Sequence, residues 1–392
     1  MFYVGIDIAK TKHFGTIIDE KGNRLTKPFP VLNTSEGGAF LINKLASISS
    51  DKSQFRIGME ATGHYWIALY SFLEENGYHH ISVLNPLQTN AWRKGTDIRK
   101  RKTDSIDSLL IADFIRFHQT STSPFAQEVL FNLRQLTRFR HVLTTNIGDV
   151  KRRIVVLLDQ VFPEYESLFS NTFGKASMAL LNIFISPQDL AKLSLAELTH
   201  IITQASHGRL GKEKAQELKD LASGSFGIKF GLESFQLQLK LLLEQLKLLI
   251  QQRDGCDKEI ASIMVEIDSP ITTIPGIGPI LGAIILSELG SIERFSKASK
   301  IVAYAGIDAS ISQSGNSFSD AMKLSKRGSS HLRRAIFQAA MAACRSAPLF
   351  QRYYDKKKKQ GKHYYVCIGA SSRKMCHIIY AVLKNNTAYI EK

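Results

Sequence analysis

Hydrophobic periodicity changes near residue 129, and that change limits what this chain can fold into. From there Val129, Leu133, Leu136, Phe139, Leu143, Ile147, Val150, Ile154, Leu157 and Val161 recur at three- and four-residue steps, one face of a long α-helix. Pro163 supplies the stop, because proline lacks the N–H a helix needs. A second run, Leu232, Phe235, Leu239, Leu242, Leu246, Leu249, Arg253, Cys256, Ile260, Ile263 and Ile267, keeps strict heptad spacing, broken in character by Arg253. Sustained heptads suit a coiled coil or a long antiparallel pair acting as spacer or oligomerisation arm. Two ordinary helices of a bundle fit the periodicity equally well.

Before the change, the pattern alternates. Strands are expected at residues 2–8, 14–19, 25–31, 55–59 and 81–84, with a hairpin turn at Gly22-Asn23. Helices are expected from Ser35, from about Tyr65, and over 104–117, giving an α/β layer fold. After Pro270 the composition turns to Gly, Ser and Ala. Helices near 280–289, 330–343 and 371–383 surround a polar loop at 308–320. The expected division is 1–125, 126–268 and 269–392: an α/β domain, a helical or coiled-coil linker, and a mainly helical third domain.

Lys and Arg total 51 against 35 Asp and Glu, a formal charge of +16 that favours a polyanionic partner, with nucleic acid first among them. Charge alone leaves a basic enzyme without such a ligand open. The four cysteines form no CxxC pair, so neither a zinc site nor a disulfide framework is signalled, and a reducing cytoplasm fits. No uncharged apolar run is long enough to span a bilayer, so a membrane partner is not expected.

The chemistry concentrates in four acids. Asp7 closes the apolar run VGID and Glu60 closes FRIGME, where a lone buried carboxylate is expensive without a metal or a cation. Asp104 and Asp107 lie three apart in KTDSIDS, so on a helix they face the same way. Four hard oxygen ligands suit a pair of Mg²⁺ ions roughly 4 Å apart, the spacing used in phosphodiester chemistry. Singly, each acid reads better as a cap, a turn residue or an ion-pair partner; together they point to a metal site.

The order of these elements resembles the RNase H-like fold of the Holliday-junction resolvase RuvC. More narrowly, GIDIAK, MEATGHY, NPLQTNAWRK and KTDSIDSLLIADF resemble the DEDD transposases of insertion-sequence family one-hundred-ten and the related Piv/MooV DNA invertases. FSKASKIVAYAGI, ISQSGNSF and LSKRGSSHLRRAIFQAA resemble that family's second domain. The likeness runs to about residue 160 and resumes in the C-terminal region, leaving roughly 165–230 unmatched. It implies metal ligation by Asp7, Glu60, Asp104 and Asp107 and a nucleophilic serine in the polar loop, which QSG puts at Ser314. Ser312 and Ser317 are competitors. It further implies composite sites in a dimer or tetramer, double-stranded donor and target DNA, a guide-type bridge RNA, and a cytoplasmic, nucleoid-associated location.

IPGIGP is similar to a helix-hairpin-helix turn, in which Gly276 and Gly278 let backbone N–H groups approach a phosphate; tight packing is the plain alternative. Candidate nucleic-acid contacts are Arg93, Lys94, Arg99, Lys100, Arg101 and Lys102 before Asp104, and Lys151, Arg152 and Arg153 on the first long helix. Lys326, Arg327, Arg333 and Arg334 follow the serine loop, with Lys323 and the run 356–359 beside them. Any of these is equally a solvated face. Trp92, His64 and Tyr65 suit base stacking less well than packing. The resulting expectation is a DNA transposase or recombinase. Its competitors are a RuvC-like nuclease hydrolysing with water, an actin-like ATPase or sugar kinase suggested by GIDIAKTKH, and a silent nucleic-acid scaffold.

Overall fold

A computed structural model of the chain describes residues 1–61, 63–96, 104–118, 128–183, 186–308, 313–314, 317–318 and 324–391, with the backbone alone at 87, 96, 313–314 and 317–318. Arg99, Lys100, Arg101, Lys102, Ser312 and Lys323 lie outside the described residues. The chain forms two compact units, Met1–Glu128 and Val129–Lys392.

The first unit is built on a mixed sheet of β1 (Phe2–Asp7), β2 (Lys12–Ile18), β3 (Phe29–Leu32), β4 (Phe55–Glu60) and β5 (Ile81–Leu84), in the order β3-β2-β1-β4-β5. The β1–β2 and β2–β3 pairs are antiparallel; β1–β4 and β4–β5 are parallel. Alternation along the strands sorts the faces. Val4, Ile6, Ile57 and Met59 join α1 (Ser35–Ala46) and α2 (Trp66–Glu75) in one core through Leu41, Leu45, Leu69 and Leu73. The opposite face, with Tyr3, Gly5, Gly58 and Leu84, takes α4 (Asp104–Phe117) through Ile111, Phe114 and Ile115.

Between β5 and α4 lies α3 (Pro86–Thr96), an element the apolar pattern does not announce. Its sequence PLQTNAWRKGT is polar and carries weak helix formers; Pro86 at its start provides the preset φ of a first helical turn. The third strand starts later than expected, at Phe29, and Leu25 is exposed. Gly22 does turn the β2–β3 connection, with φ +85° and hydrogen bonds between Asp19 and Asn23 on either side.

The second unit contains the two long helices, α5 (Glu128–Val161) and α10 (Leu232–Ile267). They run antiparallel: Arg140 on α5 pairs with Asp257 on α10, while Leu157 and Leu158 share a core with Leu239 and Leu243. Between them α6 (Lys175–Leu181), α7 (Pro187–Lys192), α8 (Leu195–Ser206) and α9 (Lys212–Ser223) close that core. The buried face of α10 departs from the heptad series. Leu243 and Met264 are buried where Leu242 and Ile263 were the expected seam, because a helix packed on a globular core keeps 3.6 residues per turn and drifts past a 3.5-residue seam.

The other ends of both helices, at Leu130, Leu133, Ile260 and Met264, enter a second core. It is completed by α11 (Pro279–Leu289), α12 (Ala298–Tyr304), α13 (Ser330–Ser346), α14 (Pro348–Lys359) and α15 (Tyr364–Asn385). The last helix begins a full two turns before the expected 371. Between α12 and α13 a small hairpin pairs β6 (Gln313–Ser314) with β7 (Ser317–Phe318). No described helix is long and apolar enough to cross a membrane.

Candidate active site

The site is organised by one row of the sheet. Gly5 of β1 sits opposite Thr16 of β2 on one side and Gly58 of β4 on the other, and Gly58 sits opposite Ser82 of β5. A Cβ on Gly5 would lie 2.0 Å from the Ser108 carbonyl oxygen and 2.3 Å from the Ala112 nitrogen; on Gly58 it would lie 2.8 Å from the Ile115 side chain. The paired glycines therefore let α4 lie directly on the sheet, close enough for a buried 2.7 Å hydrogen bond between Thr16 and Ser108.

That seating brings the four acids together. Asp7 and Glu60 are the last residues of the adjacent parallel strands β1 and β4, each two residues beyond its glycine and so on the α4 face. Asp104 and Asp107 occupy the first turn of α4; Asp104 is exposed and Asp107 is buried at 6% exposure. The electrostatics record the convergence. Burial, then repulsion from Asp107, Asp104 and Glu60 in that order, lift the Asp7 carboxyl from 3.8 to about 6, against a lowering pull from Arg93.

The missed helix α3 contributes the rest. Thr89 Oγ1 donates to Glu60 Oε2 at 3.0 Å, and one turn later Arg93 Nη2 lies 3.1 Å from Asp107 Oδ1. Trp92 on the same helix packs against Phe114, Phe117 and His118. Arg93, expected to neutralise nucleic acid, is thus engaged by a site carboxylate. Among the described residues no three acidic, imidazole or thiol groups meet tightly enough to grip one ion; a guanidinium stands against Asp107 instead. The donors are all carboxylate oxygens, whose chemistry fits a divalent cation, and such an ion would relieve the repulsion that lifts Asp7.

The other expected contacts are dispersed. Ser314 pairs with Ser317 in the β6–β7 hairpin of the second unit, and their side chains lie outside the described atoms. Gly276, at φ +85°, packs against the backbone of α13, where a Cβ would lie 2.3 Å from the Ala339 oxygen, whereas Gly278 is open at the start of α11. Lys151 lies over the Phe173 ring, Arg152 pairs with Asp149, and Lys94, Arg153 and Arg327 are exposed. Lys326 adopts a left-handed backbone, φ +52°. Arg333 donates to the Ala305 carbonyl, and Arg334 lies against His141. His64 and Tyr65 lie against each other at a tilt of 41°, ring centroids 4.3 Å apart.

Comparison with known proteins gives two family matches: a DEDD transposase model described as "Transposase" over residues 4–163, and "Transposase IS116/IS110/IS902 family" over residues 268–355. The first spans all four acids and the second spans the β6–β7 hairpin. Similar proteins include the mini-circle putative transposase for IS117 of Streptomyces coelicolor, 24% identical over 92% of this chain and 88% of its own length. Another is the pilin gene-inverting protein of Moraxella bovis, 24% identical over 99% of this chain and 97% of its own length.

Proposed function

We propose, from the premise that this chain belongs to the IS110 family of transposases, that it cuts and rejoins DNA with a metal-dependent carboxylate site and a serine nucleophile. DNA rearrangement itself follows from the family and from its transposase and gene-inverting relatives. The observation that carries the metal-site reading is the convergence of Asp7 and Glu60, at the ends of two neighbouring strands, with Asp104 and Asp107 in the first turn of α4, close enough that, beyond burial, the other three charges push the Asp7 carboxyl up. Four acids held together at that cost call for a cation.

Membership of a DEDD family suggests divalent-metal dependence, and we assign Mg²⁺, in a pair, to Asp7, Glu60, Asp104 and Asp107. The ions would stabilise charge on the phosphate and ease deprotonation of the nucleophile. Asp7 and Glu60, fixed by the sheet, set the position of the reacting phosphate; Asp104 and Asp107, fixed by α4, complete the ligand set. Arg93, beside Asp107, would turn to the nucleic acid backbone as metal takes the carboxylate. Ser314 Oγ attacks phosphorus, the sugar oxygen leaves with a proton, and the phosphoserine ester conserves the bond until a sugar hydroxyl of another strand reverses the step.

Partners under this reading are donor and target DNA duplexes, a bridge RNA that selects them by base pairing, and further copies of the chain. Exposed Leu237, Leu241 and Leu248 on α10 favour self-association. Sequencing the nucleic acid that copurifies with the protein tests the guide: an RNA complementary to the DNA flanking its own coding element is expected. Purification free of such RNA with undiminished Mg²⁺-dependent, site-specific cleavage would overturn it. Cleavage leaving free ends without rejoining would transfer the assignment to a nuclease that hydrolyses with water.

A further inference from the structure

Away from the carboxylates, within the second unit, α5, α11 and α13 border a solvent-open pocket of about 120 Å³ lined by Arg138, His141, Ile284, His331, Arg334 and Gln338. Cavities of roughly 150 Å³ take benzene, so the space here is enough for a tetrahedral oxyanion. Arg140 also lines it. Five cationic or titratable nitrogen groups on two helices therefore face one small space.

Two carboxylates neutralise part of this charge. Glu288, 2% exposed on α11, accepts from Arg138 Nε at 2.8 Å and Nη2 at 3.2 Å, and from Ser329 Oγ at 2.8 Å. Asp257 on α10 holds Arg140. Arg334 has no carboxylate among the described residues. Its Nη1 lies against the His141 ring, 3.2 Å from Nε2 and closer to Nδ1. A guanidinium only donates, so His141 meets it as a neutral ring accepting through a bare nitrogen. His331 stands edge-on to His141 with ring centroids 5.2 Å apart. Burial holds the His141 imidazole below its ordinary 6.5, aided by Arg334 and His331. Burial likewise lowers His331, aided by Arg138 and Arg334 and opposed by Glu288.

We propose that this cavity is a phosphate site, in which a backbone phosphate of bound nucleic acid sits between the Arg334 guanidinium and the His141 and His331 imidazoles. The anion turns Arg334 from a repelling neighbour into one of three donors to the same oxygens, and protons from solvent charge the two rings as it enters. Binding is therefore tighter at lower pH, with the gain developing as pH falls through and below the ordinary imidazole value of 6.5. The backbone as source of the phosphate rests on the DNA-handling reading above; the pocket's affinity for phosphate does not.

The test is an imidazole titration of the full-length protein by NMR, with His141→Gln and His331→Gln to assign the signals. Inorganic phosphate is added first, then a short DNA duplex, then RNA of matching length. Phosphate is expected to raise both titrations by about one pH unit. An oligonucleotide that occupies the site should do the same and should bind up to about tenfold more weakly per pH unit for each proton involved. Arg334→Gln should lower the salt dependence of that binding by about one phosphate contact. If inorganic phosphate moves neither ring, the site is overturned. Movement with phosphate but with neither oligonucleotide overturns the backbone source alone, and Mg²⁺-dependent DNA cleavage judges the DNA-handling reading separately. A larger response to RNA than to DNA assigns the phosphate to the guide. A variant that misfolds is recognised by loss of the other histidine signals, and Arg334→Lys, which keeps the charge, then reads the same salt dependence.

Discussion

Asp7 bears the clearest mark of what the site is for. Its carboxyl titrates near 6 in the folded chain against an ordinary 3.8, so between those values the folded state holds more protons than the unfolded one. Stability must fall as pH rises through that window and stay reduced above it. Asp7→Asn should therefore stabilise the metal-free protein at neutral pH by about 1 kcal/mol, after discounting for solvent screening, seen as a higher melting temperature in chelator. With excess Mg²⁺ the order should reverse, because the wild type alone gains the ligand's binding energy. Arg93 supplies a second prediction. Since its guanidinium stands 3.1 Å from Asp107, Arg93→Gln should bind Mn²⁺ or Mg²⁺ several-fold more tightly by calorimetry in the absence of nucleic acid; unchanged or weaker binding would show that the pair does not compete with metal. At this scale Asp7 and Glu60 drew notice because charge interrupts an apolar strand, and Asp104 and Asp107 because their three-residue spacing puts them on one side of a helix. Arg138, His141, His331 and Glu288 were not: they come from three distant helices, and no local spacing links them.

At the scale of elements, α4 and the sheet form one mechanical piece. Gly5→Ala should destabilise the first unit by about 3 kcal/mol, since the new methyl meets backbone atoms that cannot rotate away; chemical denaturation followed by a probe in this unit measures it. Thr16→Val should cost about 1 to 3 kcal/mol, because it removes the buried hydrogen bond to Ser108, whose other bond among the described residues is to the Ser105 carbonyl of its own helix. The strands and α4 were readable from alternation and from helical spacing. The role of Gly5 and Gly58 was not, for each looks like an ordinary small residue until the register places them side by side under a helix. The helix α3 escaped because its residues are polar and its stability comes from the faces it covers, through Thr89 and Trp92. The heptad pattern of α10 pointed to a coiled coil, a long antiparallel pair or bundle helices; the chain forms one long helix there, and which residues it buries was decided by packing against α5 to α9.

For the whole molecule, a charge of +16 predicts that binding to duplex DNA weakens steeply with salt. Between about 50 and 200 mM, a protein with 6–10 phosphate contacts loses roughly 10³ to 10⁵ in affinity. A flat salt response would contradict an electrostatic interface. In the proposed reaction the four acids serve a serine that holds DNA covalently. It is tested most directly by incubating the full-length protein and its copurified RNA with target DNA and Mg²⁺, then denaturing and mapping any protein–DNA adduct by mass spectrometry. An adduct on Ser314 is expected, and it should disappear in Ser314→Ala and in Asp7→Asn or Asp104→Asn. An adduct that persists in Ser314→Ala, or cleavage that yields only free ends, would contradict it.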